Sequence, residues 1–233
     1  MTSFAVAIPF RDRGKDWRRP ANLNRALEHW ASLGIYAHVF DDGQTGDAQF
    51  NRSACYNAAA QQLRADVIVY AESDLIVSLN QIEQAVEMAA EKPGLVVPFS
   101  RFMAMTEADT ELVRAHTIAP AEAQAEQVRG EYKSIGAVNV VSRASIEAIG
   151  QWPTEFSGAW YDDDACERAF RICCGPTRFV EGNGYHMYHL SGAQGSHLTP
   201  EDRAATERNK ARYQLYRAAQ TPERIRQLTA GGN

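Results

Sequence analysis

The sequence predicts one α/β domain with a mainly parallel central sheet and helices on both faces. Three observations lead there. Phe4-Ala5-Val6-Ala7-Ile8-Pro9-Phe10 is an apolar run of strand length closed by a proline. Leu23, Ala26, Leu27, Trp30 and Leu33 then recur at helical spacing, Gly34 ends the helix, and Ile35 to Phe40 forms a second apolar run. Strand, helix, strand in that order is a right-handed parallel unit. The third observation is Val67-Ile68-Val69-Tyr70-Ala71-Glu72-Ser73-Asp74-Leu75-Ile76-Val77, a β-branched run interrupted by two carboxylates.

Read as one strand, that run puts Glu72 and Asp74 on one face and Ser73 on the other. Ionised groups are costly in a buried strand, so its end is expected to open onto a crevice. Two carboxylates on one face there suit a hard divalent cation. Two solvated acids at a strand end would give the same pattern.

With 233 residues the chain can hold one large domain with a real core. Apolar and charged fractions of 45% and 23% are those of a globular protein and exclude a disordered one. A net charge of −5 argues against a nucleic-acid partner recruited by bulk charge, although a local basic groove stays open. No apolar run approaches the roughly 18 residues of a transmembrane helix. Met1-Thr2-Ser3-Phe4 lacks a basic region followed by an apolar one, so no signal peptide is expected. Cys55, Cys166, Cys173 and Cys174 have no Cys-x-x-Cys spacing and read as buried thiols of a reducing, cytoplasmic compartment.

The remaining elements follow in order. Arg11-Asp12-Arg13-Gly14-Lys15 places cations beyond the first strand, a natural place to hold phosphate, although on its own the stretch reads as a solvated turn. Asp41 and Asp42 end the second strand, as ribose or base ligands or as turn residues. Phe50 and Arg52 open a small-residue helix running to about Arg64, at its anion-favouring end. Ser78 and Gln81 have capping-box spacing ahead of Ile82, Ala85, Val86 and Ala89, and Leu95 to Phe99 is a strand. Thr106 to Gly130 is rich in Ala and Glu and weakly periodic, an exposed helix or a mobile flap. Ile135 to Ser142 is a strand entered through the small Gly136 and Ala137, and a short helix follows from Ala144 to Ile149. Asp162-Asp163-Asp164 opens a helix behind Gly158-Ala159-Trp160-Tyr161, more acids than dipole capping alone requires. Arg178 to Val180 forms a short strand. His186 and His189 would share a face on a helical turn and oppose each other on a strand. Thr199-Pro200-Glu201-Asp202 starts a charged surface helix to about Gln220, and the tail to Asn233 is expected to fray.

Six motifs in this order resemble the β-1,4-galactosyltransferase family and its bacterial or phage relatives, inverting glycosyltransferases of GT-A (Rossmann-like) fold. They are Ile8-Pro9-Phe10-Arg11-Asp12-Arg13, Phe50-Asn51-Arg52-Ser53, Glu72-Ser73-Asp74-Leu75-Ile76, Gly136-Ala137-Val138 with Ser142, Phe156-x-Gly158 with Asp162-Asp163-Asp164, and His189. The resemblance runs from about Phe4 to about His189. It implies that Pro9, Phe10, Arg11 and Arg13 hold a nucleotide diphosphate and that Phe50 and Arg52 face the nucleotide. Asp41, Glu72 and Ser73 are further nucleotide-facing candidates. Asp74 matches the family's manganese-binding acid, and His186 and His189 match its methionine and histidine. An imidazole in place of a thioether favours a borderline or harder ion, Mn2+ or Mg2+.

The family's Glu-Asp pair binds the acceptor and supplies the general base, roles that fall to Asp162 and Asp163. Gly136, Ala137, Gly158 and Trp160 are the candidates for contact with donor or acceptor sugar. The family's tryptophan and two glycines are replaced here by Ala159, Trp160 and Tyr161, so its galactose and acceptor preferences do not carry over. That loop moves in the family. The expected protein is a GT-A domain over residues 1–198, with a C-terminal helix and tail, 199–233, packed on or extending from it. The expected activity is a metal-dependent, hexosyltransferase-type transfer from a UDP-sugar to a hydroxyl of a glycan, a protein or another acceptor. The alternatives are a same-fold transferase acting on a protein or a modified nucleic-acid base, and a sugar-nucleotide-binding protein without turnover.

Overall fold

The computed structural model describes residues 2–232; Met1 and Asn233, at the ends of the two terminal segments read above, lie outside the described residues. A six-stranded sheet forms the centre. Its first half is parallel: β1 (Phe4–Pro9) lies between β2 (Ala37–Phe40) and β3 (Val67–Ala71). Helix α1 (Arg18–Ser32) joins β1 to β2, and α2 (Arg52–Gln62) joins β2 to β3. β3 is buried along its whole length because helices cover both faces. Its alternation sorts the side chains. Val67, Val69 and Ala71 enter one cluster with Trp30, Ile82 and Val86; Ile68 and Tyr70 enter the other with Tyr56, Trp152 and Phe170. Each fully buried Ile or Val contributes about 1.5–3 kcal/mol.

The second half of the sheet is mixed. β8 (Val138–Ser142) runs antiparallel to β3 and to β5 (Val96–Val97), and β5 pairs in parallel with β9 (Arg178–Phe179). Between these strands lie α3 (Leu79–Glu91), capped by Ser78 at the Gln81 amide, and α5 (Arg143–Ile149). Helix α6 (Asp162–Cys174) begins at the aspartate triplet.

A second, four-stranded sheet corrects the sequence reading in two places. The run Val67 to Val77 is not one strand. It turns at Ser73 and Asp74, and β4 (Leu75–Ile76) joins β10 (Asn183–His186), β6 (Arg101–Met105) and β7 (Ala125–Gln127) in the order β4-β10-β6-β7. Thr106 to Gly130 is neither one helix nor a structureless flap. Thr106 caps α4 (Glu107–Arg114), a 3-10 turn follows at Pro120–Glu122, and β7 pairs with β6. Val113 is fully buried and packs with Ile76, Met105 and Met187, which gives the segment a small core of its own.

The C-terminal helices also depart from a surface position. α7 (Pro200–Ala218) buries Ala205, Asn209 and Tyr216, and α8 (Pro222–Thr229) buries Ile225 and Leu228 among Trp152, Phe156 and Phe170. Among the described residues no helix is long and apolar enough to cross a membrane. All four cysteines are free thiols, Cys55 and Cys166 being buried.

Candidate active site and metal centre

A cavity of about 570 Å³ opens beyond the carboxyl ends of β1 and β3, where open α/β sheets present their ligand crevices. The turn after β3 supplies Glu72, Ser73 and Asp74 to its lining. Ser73 therefore does not point away from the two acids, as one continuous strand would require.

Asp74 meets two imidazoles. His189 Nε2 lies 3.1 Å from Asp74 Oδ2 and His186 Nε2 lies 3.6 Å from Oδ1. The pairing of β10 with β4 makes this possible: His186 sits opposite Leu75, and the Met187 amide donates to the Asp74 carbonyl at 2.8 Å. The strand ends at His186, so the alternation that would turn His189 away no longer applies. Asp74 Oδ1 is buried and has no hydrogen-bond partner among the described residues. One ligand atom from each of the three residues falls within 4.8 Å of the others. A carboxylate with one unpartnered oxygen and two ring nitrogens gathered about it is a donor set for a borderline divalent ion, and the residues fit one.

The electrostatics agree. Burial disfavours the Asp74 carboxylate, but His186, His189 and the hydrogen bond from His189 outweigh it and hold the group below the usual carboxylate range. Burial, only partly offset by Asp74, takes His186 down to about 4, leaving a neutral ring with a lone pair to offer at neutral pH. Burial also works against charging His189, but Asp74 overcomes it and raises that group. His189 Nδ1–H donates to the Leu190 carbonyl at 2.8 Å, which directs Nε2 at Asp74.

A second cluster centres on Arg52. Its guanidinium donates to Asp162 Oδ2 through Nε (3.0 Å) and Nη2 (2.6 Å), to Glu72 Oε1 through Nη1 (2.6 Å), and to Asp163 Oδ1. One cation thus faces three carboxylates. Burial, opposed by Arg52 and reinforced by the other two acids, raises Asp163 well above its ordinary value. Burial and Asp74 likewise raise Glu72 against the pull of Arg52. Gly136, at φ 96°, backs the Asp163 carboxylate so closely that a Cβ would overlap it. It supports the cavity from behind and is not itself in the lining, whereas Ala137 is.

Of the strand-end residues, Pro9, Phe10, Arg11 and Arg13 all line the cavity, as does Phe50. Arg11 is turned inward. It donates to Asp42 Oδ1 and to the carbonyls of Gly46 and Ala48, with its side chain 6% exposed. Asp41 is not among the residues lining the cavity, and its carboxylate accepts from the Gly43 amide (2.6 Å) in its own turn. The sequence passed over Arg19, whose Nη1 lies 4.0 Å from Asp74 Oδ2 and whose side chain remains 39% exposed. It also passed over Asp202, which the capping signal explained, yet which binds Arg13 at 3.2 Å and Lys15 at 3.0 Å in the cavity wall. Asp162, Asp163, Gly158 and Trp160 also line the cavity, Trp160 being 44% exposed.

No family model matches the sequence, and no curated protein does. Solved structures match its fold. The catalytic domain of Drosophila β1,4-galactosyltransferase 7, in complex with xylobiose, superposes with a TM-score of 0.55 at 13% identity, over 96% of this chain and 84% of that one. Glucosyl-3-phosphoglycerate synthase from Mycobacterium tuberculosis, in complex with Mn2+ and UDP-glucose, superposes with a TM-score of 0.55 at 12% identity, over 93% and 79%. The likeness is shared across these glycosyltransferases and does not single out the galactosyltransferase family. The chain has the GT-A fold that they have in common.

Proposed function

We propose that this protein is a divalent-metal-dependent, inverting glycosyltransferase that moves a sugar from a UDP-sugar to an acceptor hydroxyl. The observation that carries the reading is the Asp74 carboxylate, with His186 beside its unpartnered Oδ1 and His189 on its Oδ2, in one cavity with Asp163. The two solved structures support it, since one was determined with Mn2+ and UDP-glucose and the other with xylobiose, a sugar.

Asp74, His186 and His189 would hold the ion, which supplies positive charge to offset that of a departing diphosphate. Arg13, Lys15 and Arg19 add cationic charge to the cavity lining. Phe10 and Phe50 offer apolar surface to the nucleotide. Asp163 would accept the proton of the acceptor hydroxyl as its oxygen bonds to the anomeric carbon and the carbon–diphosphate bond breaks, the electron pair leaving with the diphosphate. A carboxyl raised above its ordinary value is the stronger base for that transfer. Arg52 holds Asp162 and Asp163 in place by charged hydrogen bonds. Trp160 and Gly158 would flank the acceptor.

A panel of nucleotide sugars, each with and without Mn2+, tests this by thermal shift followed by donor hydrolysis. A ligand at 100 times its dissociation constant adds about 2.7 kcal/mol of stability, so one UDP-sugar should raise the melting temperature only with Mn2+ present. No shift and no hydrolysis with any member of the panel would remove the reading.

A further inference from the structure

Trp160 and Tyr161 stand side by side in the left-handed region, with φ of 70° and 69°. Side chains with a Cβ avoid that region because they crowd the backbone, and such residues stay there only when the surroundings dictate it. Besides the Gly158 amide bond to the Phe50 carbonyl at 2.8 Å, the carbonyls of this turn converge on one side chain. Asn209 on α7 is 2% exposed, and its Nδ2 donates to the carbonyls of Ser157 at 3.1 Å, Ala159 at 3.3 Å and Trp160 at 3.1 Å. Its Oδ1 accepts from the Ser157 amide at 3.3 Å. Three carbonyls share two N–H groups, so the donor capacity of the amide is filled by this one turn.

The same face of α7 extends the contact. Tyr213 stacks on Tyr161 with ring centroids 5.9 Å apart, and the Ala205 methyl lies 3.1 Å from where a Cβ at Gly158 would be. Ala205, Asn209 and Tyr213 recur at helical spacing and form one stripe. None of the three lines the cavity, whereas the turn they hold carries Gly158, Ala159 and Trp160 into it.

We propose that Asn209 is a positioning residue. It pins the turn from Ser157 to Tyr161 so that Trp160 stands preformed in the lining of the cavity that Asp163 also lines, and it sets acceptor binding without touching the acceptor. The exposed indole offers apolar area and a π face, which suits a hydroxyl-bearing ring with one apolar face. The word acceptor rests on the transferase reading; the pin does not.

The test reads the pin without turnover. Hydrogen exchange at the Ser157 amide, which donates to Asn209 Oδ1, and at the Gly158 amide, which donates to the Phe50 carbonyl, is measured in the unaltered protein and in Asn209→Ala, with and without UDP and Mn2+. The unaltered protein should exchange equally slowly in both conditions, and Asn209→Ala should exchange at least about tenfold faster while its UDP affinity with Mn2+ stays within about threefold. A double-mutant cycle with Trp160→Gly separates the pin from a simple tether for α7. Glycine takes the left-handed conformation freely. The loss of folding equilibrium on Asn209→Ala should therefore shrink by at least about fivefold in the Trp160→Gly background. Equal losses in both backgrounds overturn the proposal, as does free exchange of the two amides in the unaltered protein. If Asn209→Ala does not fold, Asn209→Ser, which keeps one donor, replaces it, and the exchange rates of the unaltered protein still decide. Failure of UDP and Mn2+ to bind the unaltered protein would strike the transferase reading and leave the pin standing.

Discussion

Asp74 keeps one carboxylate oxygen buried without a hydrogen bond, a defect that costs about 1–3 kcal/mol unless something is bound there. Asp74→Ala and His189→Ala should therefore lose Mn2+-dependent UDP binding by calorimetry while still melting cooperatively. His186→Ala should weaken it partly, and His186→Met should retain a site. Asp74→Ala binding UDP and Mn2+ as tightly as the parent would end the metal assignment. Asp163 belongs to chemistry rather than binding. Asp163→Asn should lower turnover about 10²–10⁴-fold with UDP affinity unchanged, and an equal loss of both would place the residue in nucleotide binding instead. Gly136→Ala leaves every carboxylate in the sequence but drives a methyl into Asp163 at a φ of 96°. Strain of that kind costs about 1–3 kcal/mol, and turnover should fall with it. Wild-type rates in Gly136→Ala would show that turnover does not require Asp163 to sit against this stretch of backbone.

At the scale of elements, α7 does more than its sequence suggests. Its N-terminus is closed by a capping box in which Asp202 accepts from the Thr199 amide and hydroxyl, while the same carboxylate binds Gln49, Arg13 and Lys15. Burial alone would raise this carboxyl. The hydrogen bonds from Gln49, Thr199 and Lys15 outweigh burial and hold it far below the carboxylate range. A folded-state pKa below the unfolded one means stability that is complete above the unfolded value, about 3.9, and lost as pH falls further. Asp202→Asn keeps the shape and removes the charge. It should cost about 1.5–3 kcal/mol at pH 7 by urea unfolding, and the difference from the parent should close as pH drops below about 4. A difference independent of pH would mean that the charge contributes nothing.

The molecule as a whole shares one interior between its N-terminal and C-terminal parts. Tyr216, Ile225 and Leu228 are fully buried among Trp152, Phe156 and Phe170. Removing residues 199–232 uncovers that cluster. At about 1.5–3 kcal/mol for each large side chain, the loss rivals the 5–15 kcal/mol net stability of a typical domain. The truncated chain should show no cooperative melt by circular dichroism. A sharp melt near the parent temperature would make the C-terminal helices an appendage.

The sequence by itself determined the elements whose signals are local. Apolar and β-branched runs specify β1, β2 and β3, the 3.6-residue period specifies α1 and α3, and Thr199-Pro200 specifies the start of α7. Order of motifs was enough to bring Asp74, Asp163, His186 and His189 forward as site residues. What only the tertiary structure decided depends on which strands meet. β4 is two residues long and β6 carries no strong period, so the second sheet exists through its pairings and not through any propensity. Those pairings place His186 beside Asp74. The fate of each charge was equally non-local. Asp41 and Asp42 look alike in sequence, yet one caps a turn and the other is sealed against Arg11, because the partner comes from a distant loop. Asn209 gave no signal at all, since a buried amide on a charged helix acquires its meaning only from the carbonyls that the fold delivers to it.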